Sequence, residues 1–260
     1  MDIKQIELIA HELETARLES RALEPVSGRY PAMTIEDAYK VQQVQAATRV
    51  AGGARIVGKK IGLTSRVVQN MLGVHQPDFG YLFSDMIIPS GDRVASEMLI
   101  QPKIEGEIAF VLKQDLRGPG LSNADVLQAT AGVMTCFEIV DSRVADWKIG
   151  IVDTVADNAS SALFVLGDRL VDPATVDLAL CGMVMEKNGE VVVTGAGAAA
   201  LDSPVNAVTW LANQLGELGV PLLAGEVILS GALGAMVTVS KGDHFRVEIG
   251  GIGTCAVHFD

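Results

Sequence analysis

The sequence predicts an α+β fold, with a mixed or antiparallel sheet assembly preceded by a small helical region. Three observations carry this. The first 50 residues space their apolar side chains at three- and four-residue steps. From Arg55 onward the texture changes to short apolar runs separated by Gly, Pro, Asn and Asp. Few helical stretches interrupt those runs, so the regular strand–helix alternation of doubly wound and barrel α/β folds is missing.

The first helix carries Ile3, Ile6, Ile9, Leu13 and Ala16 on one side, until Pro25, Gly28 and Pro31 break the pattern. A second starts at Thr34, an N-cap residue with Asp37 three positions on. It aligns Ile35, Ala38, Val41 and Val44 and stops at Gly52-Gly53. The expected organisation is therefore a helical region over 1–53 and a sheet domain over 54–260. Strands are expected in IVGKKIGL, LIQPKIEGEIAFVL, VMTCFEIV, LFVLG, LALCGMVMEK, EVVVTG, EVILSG, MVTVS, FRVEIG and TCAVHF. MVMEKNGEVVV reads as a hairpin turning at Asn188-Gly189. Two later helices are expected, one near 122–132 and one opened by Ser203-Pro204.

Composition narrows the function. Lys plus Arg is 20 and Asp plus Glu is 32, so the formal charge is 20 − 32 = −12. That acidity argues against nucleic-acid backbones and anionic membranes, which want a basic face. An anionic substrate would need a local cation, either a metal or a placed Lys or Arg. The cysteines, Cys136, Cys181 and Cys255, are odd in number and widely spaced. They suit neither a disulfide framework nor zinc, and read as buried, reduced thiols of a cytoplasmic protein. The N-terminal stretch lacks the apolar core of a signal peptide, and no run approaches 18 apolar residues.

The sharpest chemical feature is Lys103-Ile104-Glu105-Gly106-Glu107-Ile108-Ala109-Phe110. On a strand, Glu105 and Glu107 share a face about 7 Å apart, while Ile104, Ile108 and Phe110 point into a core. Gly106 would leave room for a backbone or a ligand. Two like charges so placed repel unless a cation lies between them; a solvated strand face is the ordinary alternative. Glu138 stands inside the otherwise apolar MTCFEIVD, with no Lys or Arg within four residues. A carboxylate there is costly to bury alone. Three carboxylates from two strands would form a hard oxygen site suited to Mg²⁺ or Mn²⁺. The alternative is that Glu138 pairs with a distant base such as Lys59 or Arg143.

In Lys59-Lys60-Ile61-Gly62, alternation would turn one lysine inward. Beside a divalent cation its pKa would fall, fitting it for proton transfer; a surface pair is the alternative. Asp78, between Pro77 and Gly80, reads first as a turn residue, and nearby His75 as a spectator. Gly195-Ala196-Gly197-Ala198-Ala199-Ala200 satisfies a dinucleotide fingerprint on paper. Its preceding strand belongs to a hairpin, however, and the next helix waits until Pro204, so nucleotide binding is not expected.

These motifs together resemble the 2-hydroxypenta-2,4-dienoate (2-oxopent-4-enoate) hydratases of the fumarylacetoacetate hydrolase superfamily. The resemblance spans nearly the whole chain. It is carried by GKKIGLTS, QNMLGVHQPDFGYL, QPKIEGEIAFVL, FEIVDSR, DWKI, VDTVADNAS, EKNGEVVVTGAGAAALDSPVNAVTWLAN, AGEVILSGALG and VEIGGIG. It implies a mixed β-roll behind a small helical region, and one Mg²⁺ or Mn²⁺ on Glu105, Glu107 and Glu138. It also implies Lys60 and Asp78 as the proton-transfer pair, and a homo-oligomer that in some members associates with a 4-oxalocrotonate decarboxylase. The related decarboxylases carry an apolar residue where Asp78 stands. The related C–C hydrolases use an early His-Glu dyad that this chain lacks. On that resemblance, Ser160 and the Ser230-Gly231 turn could donate to a substrate carboxylate; turn capping is their ordinary role.

Overall fold

The computed structural model describes residues 1–66, 69–70, 74 and 76–260. His75 lies outside the described residues. The N-terminal region contains α1 (Ile3–Leu18), α2 (Val26–Arg29) and α3 (Ile35–Ala51). Asp2 and Gln5 cap α1 reciprocally, and Thr34 caps α3 by accepting from the Asp37 N–H. The apolar faces of α1 and α3 do not close a core alone. Ile6, Ile9, Leu13, Ala38 and Val41 pack with Val155 and Ala156 of a short helix, α5 (Ile151–Ala156), from the middle of the chain.

The strands are β1 (Ile56–Gly62), β2 (Asp78–Phe83), β3 (Ile87–Pro89), β4 (Arg93–Val94), β5 (Lys103–Leu112), β6 (Thr130–Val140), β7 (Ser161–Leu166), β8 (Gly182–Lys187) and β9 (Glu190–Ala196). β10 (Val227–Leu229), β11 (Val237–Thr238), β12 (His244–Ile249) and β13 (Gly253–Phe259) complete the set. An eight-stranded sheet runs β2-β1-β10-β5-β6-β7-β3, with β11 also on β5; a five-stranded sheet runs β4-β13-β12-β8-β9. Pairings are mixed: β1 runs parallel to β10 and antiparallel to β2. Asn188 and Gly189 turn the β8–β9 hairpin with φ of 55° and 85°, the doubly positive pattern expected of Asn-Gly.

The two sheets meet over one core. Ile104, Ile108 and Phe110 of β5 face Met183, Met185, Phe245 and Val247 of the smaller sheet. α4 (Asn123–Ala129) and α6 (Pro204–Glu217) close it, α6 through Val208, Leu211 and Leu215. Gly106 serves this packing. A Cβ there would come within 2.6 Å of Met183 Sδ, so the partner it admits is the second sheet and not a ligand.

Three expectations are corrected. Asp78 is no turn residue: it opens β2, whose residues are all buried, because DFGYLF pairs along β1 with Gly62 opposite Asp78. The lysine pair is not split between inside and outside: both residues are 3% exposed, Lys59 against Glu226 and Lys60 against Glu138. The third is α5 itself, which the sequence pattern did not reveal. The paper fingerprint at Gly195 ends β9 in a short 3₁₀ turn and α6 starts only at Pro204, as expected.

Candidate metal centre and active site

β5 and β6 run antiparallel with Glu105 opposite Glu138 and Glu107 opposite Cys136. One carboxylate oxygen from each of Glu105, Glu107 and Glu138 lies within 4.8 Å of the others. Strand alternation places the first two on one face, and the neighbouring register brings in the third. Glu107 and Glu138 are 0% exposed, so the solvated-face alternative does not hold. Glu107 accepts the Gly231 N–H at 2.7 Å. Glu138 Oε2 lies 3.1 Å from Lys60 Nζ, without hydrogen-bond alignment.

Neither distant base considered for Glu138 takes it. Lys59 Nζ contacts both oxygens of buried Glu226 at 2.6 and 2.7 Å. Arg143 pairs with buried Asp157. Lys60 is thus the cation among four carboxylates. Burial works against its charge, but Glu138, Asp78, Glu105 and Glu107 together hold its pKa above the ordinary lysine value.

The carboxylates move the other way. Burial, then the charge of Glu138, raises Glu105 to about 7. Burial, Glu138 and Glu105 push Glu107 well above the usual carboxylate range. Burial raises Asp78 as well, opposed by Lys60. Asp78 approaches β1 closely: a Cβ on Gly62 would fall 2.2 Å from Asp78 Oδ1 and 3.3 Å from Lys60 Nζ. Glycine at 62 is what lets the two groups share one corner.

The residues fit a divalent cation. Glu107 Oε1, both Glu138 oxygens, Asp78 Oδ1 and Ser230 Oγ are buried without a hydrogen-bond partner among the described residues. Such orphans are rare in proteins and demand a partner. An all-oxygen carboxylate set suits a hard ion of the Mg²⁺, Mn²⁺ or Ca²⁺ class. Above this set opens a cavity of about 420 Å³. Lys60, Asp78, Glu105 and Ser160 reach it; Leu63, Val140, Trp147, Ile149 and Met236 give it apolar walls. The Trp147 ring is held by its Nε1–H to the Gln101 carbonyl at 3.0 Å and by Lys103 Nζ at 4.3 Å from its centroid.

The Ser230-Gly231 turn is placed differently from the cavity-lining Ser160. Its Gly231 N–H is occupied by Glu107, while the buried Ser230 hydroxyl has no partner among the described residues. Ser160 ends three successive non-glycine residues in the left-handed region, Asn158, Ala159 and Ser160, with φ of 55°, 50° and 54°. Such residues persist only where surroundings over-determine them. Here Arg143 donates to the Asp157 side chain and carbonyl and to the carbonyls of Asp141 and Ser161. Asn158 exchanges bonds with both the N–H and the carbonyl of Tyr81, at 2.8 and 2.9 Å. Sequence reasoning missed Asp157, Asn158 and Trp147, and it considered Arg143 only as a partner for Glu138. The available signal was a buried-type Arg in FEIVDSR with an Asp-Asn pair in VADNAS.

Residues 56–260 match the family described as fumarylacetoacetate (FAA) hydrolase C-terminal. The chain belongs to the fumarylacetoacetate hydrolase family. It is 51% identical over 260 residues to a 2-hydroxyhexa-2,4-dienoate hydratase of Comamonas testosteroni, covering 99% of this chain and 98% of that protein. It is 57% identical over 221 residues to a 2-hydroxypent-2,4-dienoate hydratase of Pseudomonas putida, covering 85% of this chain and all of that one. Among solved structures, a 4-oxalocrotonate decarboxylase from Pseudomonas putida G7, complexed with magnesium and adipate, superimposes with a TM-score of 0.98 at 40% identity. That match covers 100% of this chain and 99% of the other. The α+β mixed-sheet fold expected from the sequence is the fold of this family.

Proposed function

We propose that the chain is a metal-dependent hydro-lyase. It adds water to 2-hydroxypenta-2,4-dienoate (2-oxopent-4-enoate), giving 4-hydroxy-2-oxopentanoate, in aromatic meta-cleavage catabolism. The observation that carries this is the convergence of Glu105, Glu107 and Glu138 beside Lys60 and Asp78 under one cavity. The chain's similarity to named dienoate hydratases supports it. Glu105, Glu107 and Glu138 would hold one Mg²⁺ or Mn²⁺. When bound, that cation would supply the positive charge that anchors a 2-oxo acid and polarises its C2 oxygen.

The chain's own residues do the rest. The reaction needs the enol proton removed, a proton delivered to C5, hydroxide added from water at C4 and the remaining proton placed on C3. Lys60 and Asp78 line the cavity and are the groups that move these protons. Asp78, whose pKa burial raises, retains a proton further up the pH scale than an exposed aspartate. Ser160 offers a hydroxyl to the substrate carboxylate from the cavity wall, and Ser230, whose buried hydroxyl has no partner among the described residues, is the second candidate donor. The apolar walls pack against the substrate's hydrocarbon tail. The three cysteines are buried and free, which supports a reducing cytoplasmic setting. Within this reading the enzyme is a homo-oligomer that can partner a 4-oxalocrotonate decarboxylase.

The second reading is decarboxylation of a 2-oxo dicarboxylate, favoured only by the overlay on the decarboxylase. One assay separates the two. The ultraviolet absorbance of 2-hydroxypenta-2,4-dienoate is followed with and without Mn²⁺, and 4-oxalocrotonate is incubated in parallel. Cation-dependent loss of the dienoate supports the hydratase. Carbon dioxide from 4-oxalocrotonate with no loss of dienoate overturns it.

A further inference from the structure

The proton-transfer corner is braced from outside the sheets. α3 places Tyr39 and Gln42 three residues apart, on one helix face. Gln42 is 1% exposed, and its Nε2 donates to two carbonyls on different elements, Phe79 O at 2.9 Å and Val155 O at 3.0 Å. Phe79 follows Asp78 in β2. Val155, in α5, comes three residues before Asn158, where the left-handed turn to Ser160 begins. The Tyr39 ring stacks on Phe79, with centroids 4.4 Å apart and planes at 16°. Burial, and after it the charge of Asp78, pushes the Tyr39 phenol upward, so the phenol lies within the field of Asp78. Gln45, one helical turn on, donates to Ala156 O at 2.6 Å and to Val41 O of its own helix at 3.4 Å, with no bond to β2 among the described residues. Asn158 makes another link between these walls, at Tyr81, further along β2 from Asp78.

We infer that Gln42, with Tyr39, is a positioning residue that locks the backbone beside Asp78 to the segment carrying Ser160. The N-terminal helices thereby set the geometry of the proton-transfer site. A single amide with two N–H groups fixes the spacing of two carbonyls that do not bond each other. Misplacement by about 1 Å can cost on the order of 100-fold in rate. The inference rests on the reading of Asp78 and Ser160 given above.

Gln42→Leu and Gln45→Leu test it as a pair, since each removes buried bonds to α5 but only the first releases β2. For Gln42→Leu, kcat should fall ten- to hundredfold, with KM and Mn²⁺ affinity within threefold of native. For Gln45→Leu, kcat should stay within threefold. Amide hydrogen exchange reads the clamp without turnover. Gln42→Leu should speed exchange at least tenfold in both 78–83 and 151–161, whereas Gln45→Leu should leave 78–83 unchanged. Equal kcat in the two variants, or native exchange in β2 of Gln42→Leu, overturns the inference. Should Gln42→Leu fail to fold, Tyr39→Leu, which removes the stack on Phe79 but leaves the Gln42 bonds in place, should lower kcat tenfold; native kcat there overturns it. If the native protein hydrates no dienoate, the functional reading falls, and the exchange data decide the clamp by themselves.

Discussion

Raising the pH should weaken the metal-free protein, and the weakening should disappear when a divalent cation is added. Glu105 is raised from the ordinary 4.5 to about 7 by burial and by Glu138. Its folded pKa exceeds its unfolded one, so folding favours the protonated form. The resulting stability is complete below the unfolded pKa and is lost as pH rises through the folded value. With 1.36 kcal/mol per pKa unit, the loss between pH 5 and pH 7.5 is about 2 kcal/mol from Glu105 alone. For a chain of this size that is about 5 °C in Tm. Glu107, raised in the same direction, adds to it. The assay is urea unfolding in EDTA at half-unit pH steps, for native protein and Glu105→Gln. The native curve should fall relative to the variant across that window, and saturating Mn²⁺ should remove the fall. Parallel curves for native protein and variant would refute the reasoning, because the carboxylate cluster would then carry no strain for a cation to relieve.

Two further outcomes follow from the same geometry. Asp78→Asn should lower hydration on the order of 100-fold, a typical loss for a group that transfers a proton, while Mn²⁺ affinity measured by calorimetry stays within threefold; unchanged turnover removes Asp78 from the mechanism. Arg143→Met leaves Asp157 buried without its partner and should cost about 3 kcal/mol or more in urea unfolding, since breaking a buried ion pair strands a charge. A loss under 1 kcal/mol would show that the left-handed turn is held by other contacts.

Much of this architecture was legible because its signals are local. Two-residue alternation put Glu105 and Glu107 on one face, and a lone acid in an apolar run marked Glu138. Asn188-Gly189 announced its hairpin through turn chemistry that few other dipeptides share. What was illegible depends on partners far along the chain. Alternation assigns opposite faces to Lys59 and Lys60, but whether a face is wet depends on what packs over it. Both faces are buried here, and Glu226, 167 residues away, neutralises Lys59. Asp78 sits between Pro77 and Gly80, a pairing that mimics a turn. Only the register against Gly62 makes it a strand residue. The turn over Asn158–Ser160 contains no glycine, so its positive φ values have no composition signal. Arg143 fixes the carbonyls of the flanking Asp157 and Ser161, and Tyr81 binds the Asn158 side chain.

The central claim is tested most directly by Mn²⁺ binding, followed by electron paramagnetic resonance titration of native protein, Glu107→Gln and Glu138→Gln. One ion per native chain is expected, with affinity at least 100-fold lower in each variant and circular dichroism unchanged. Undiminished binding in both variants would contradict a cation held by Glu105, Glu107 and Glu138.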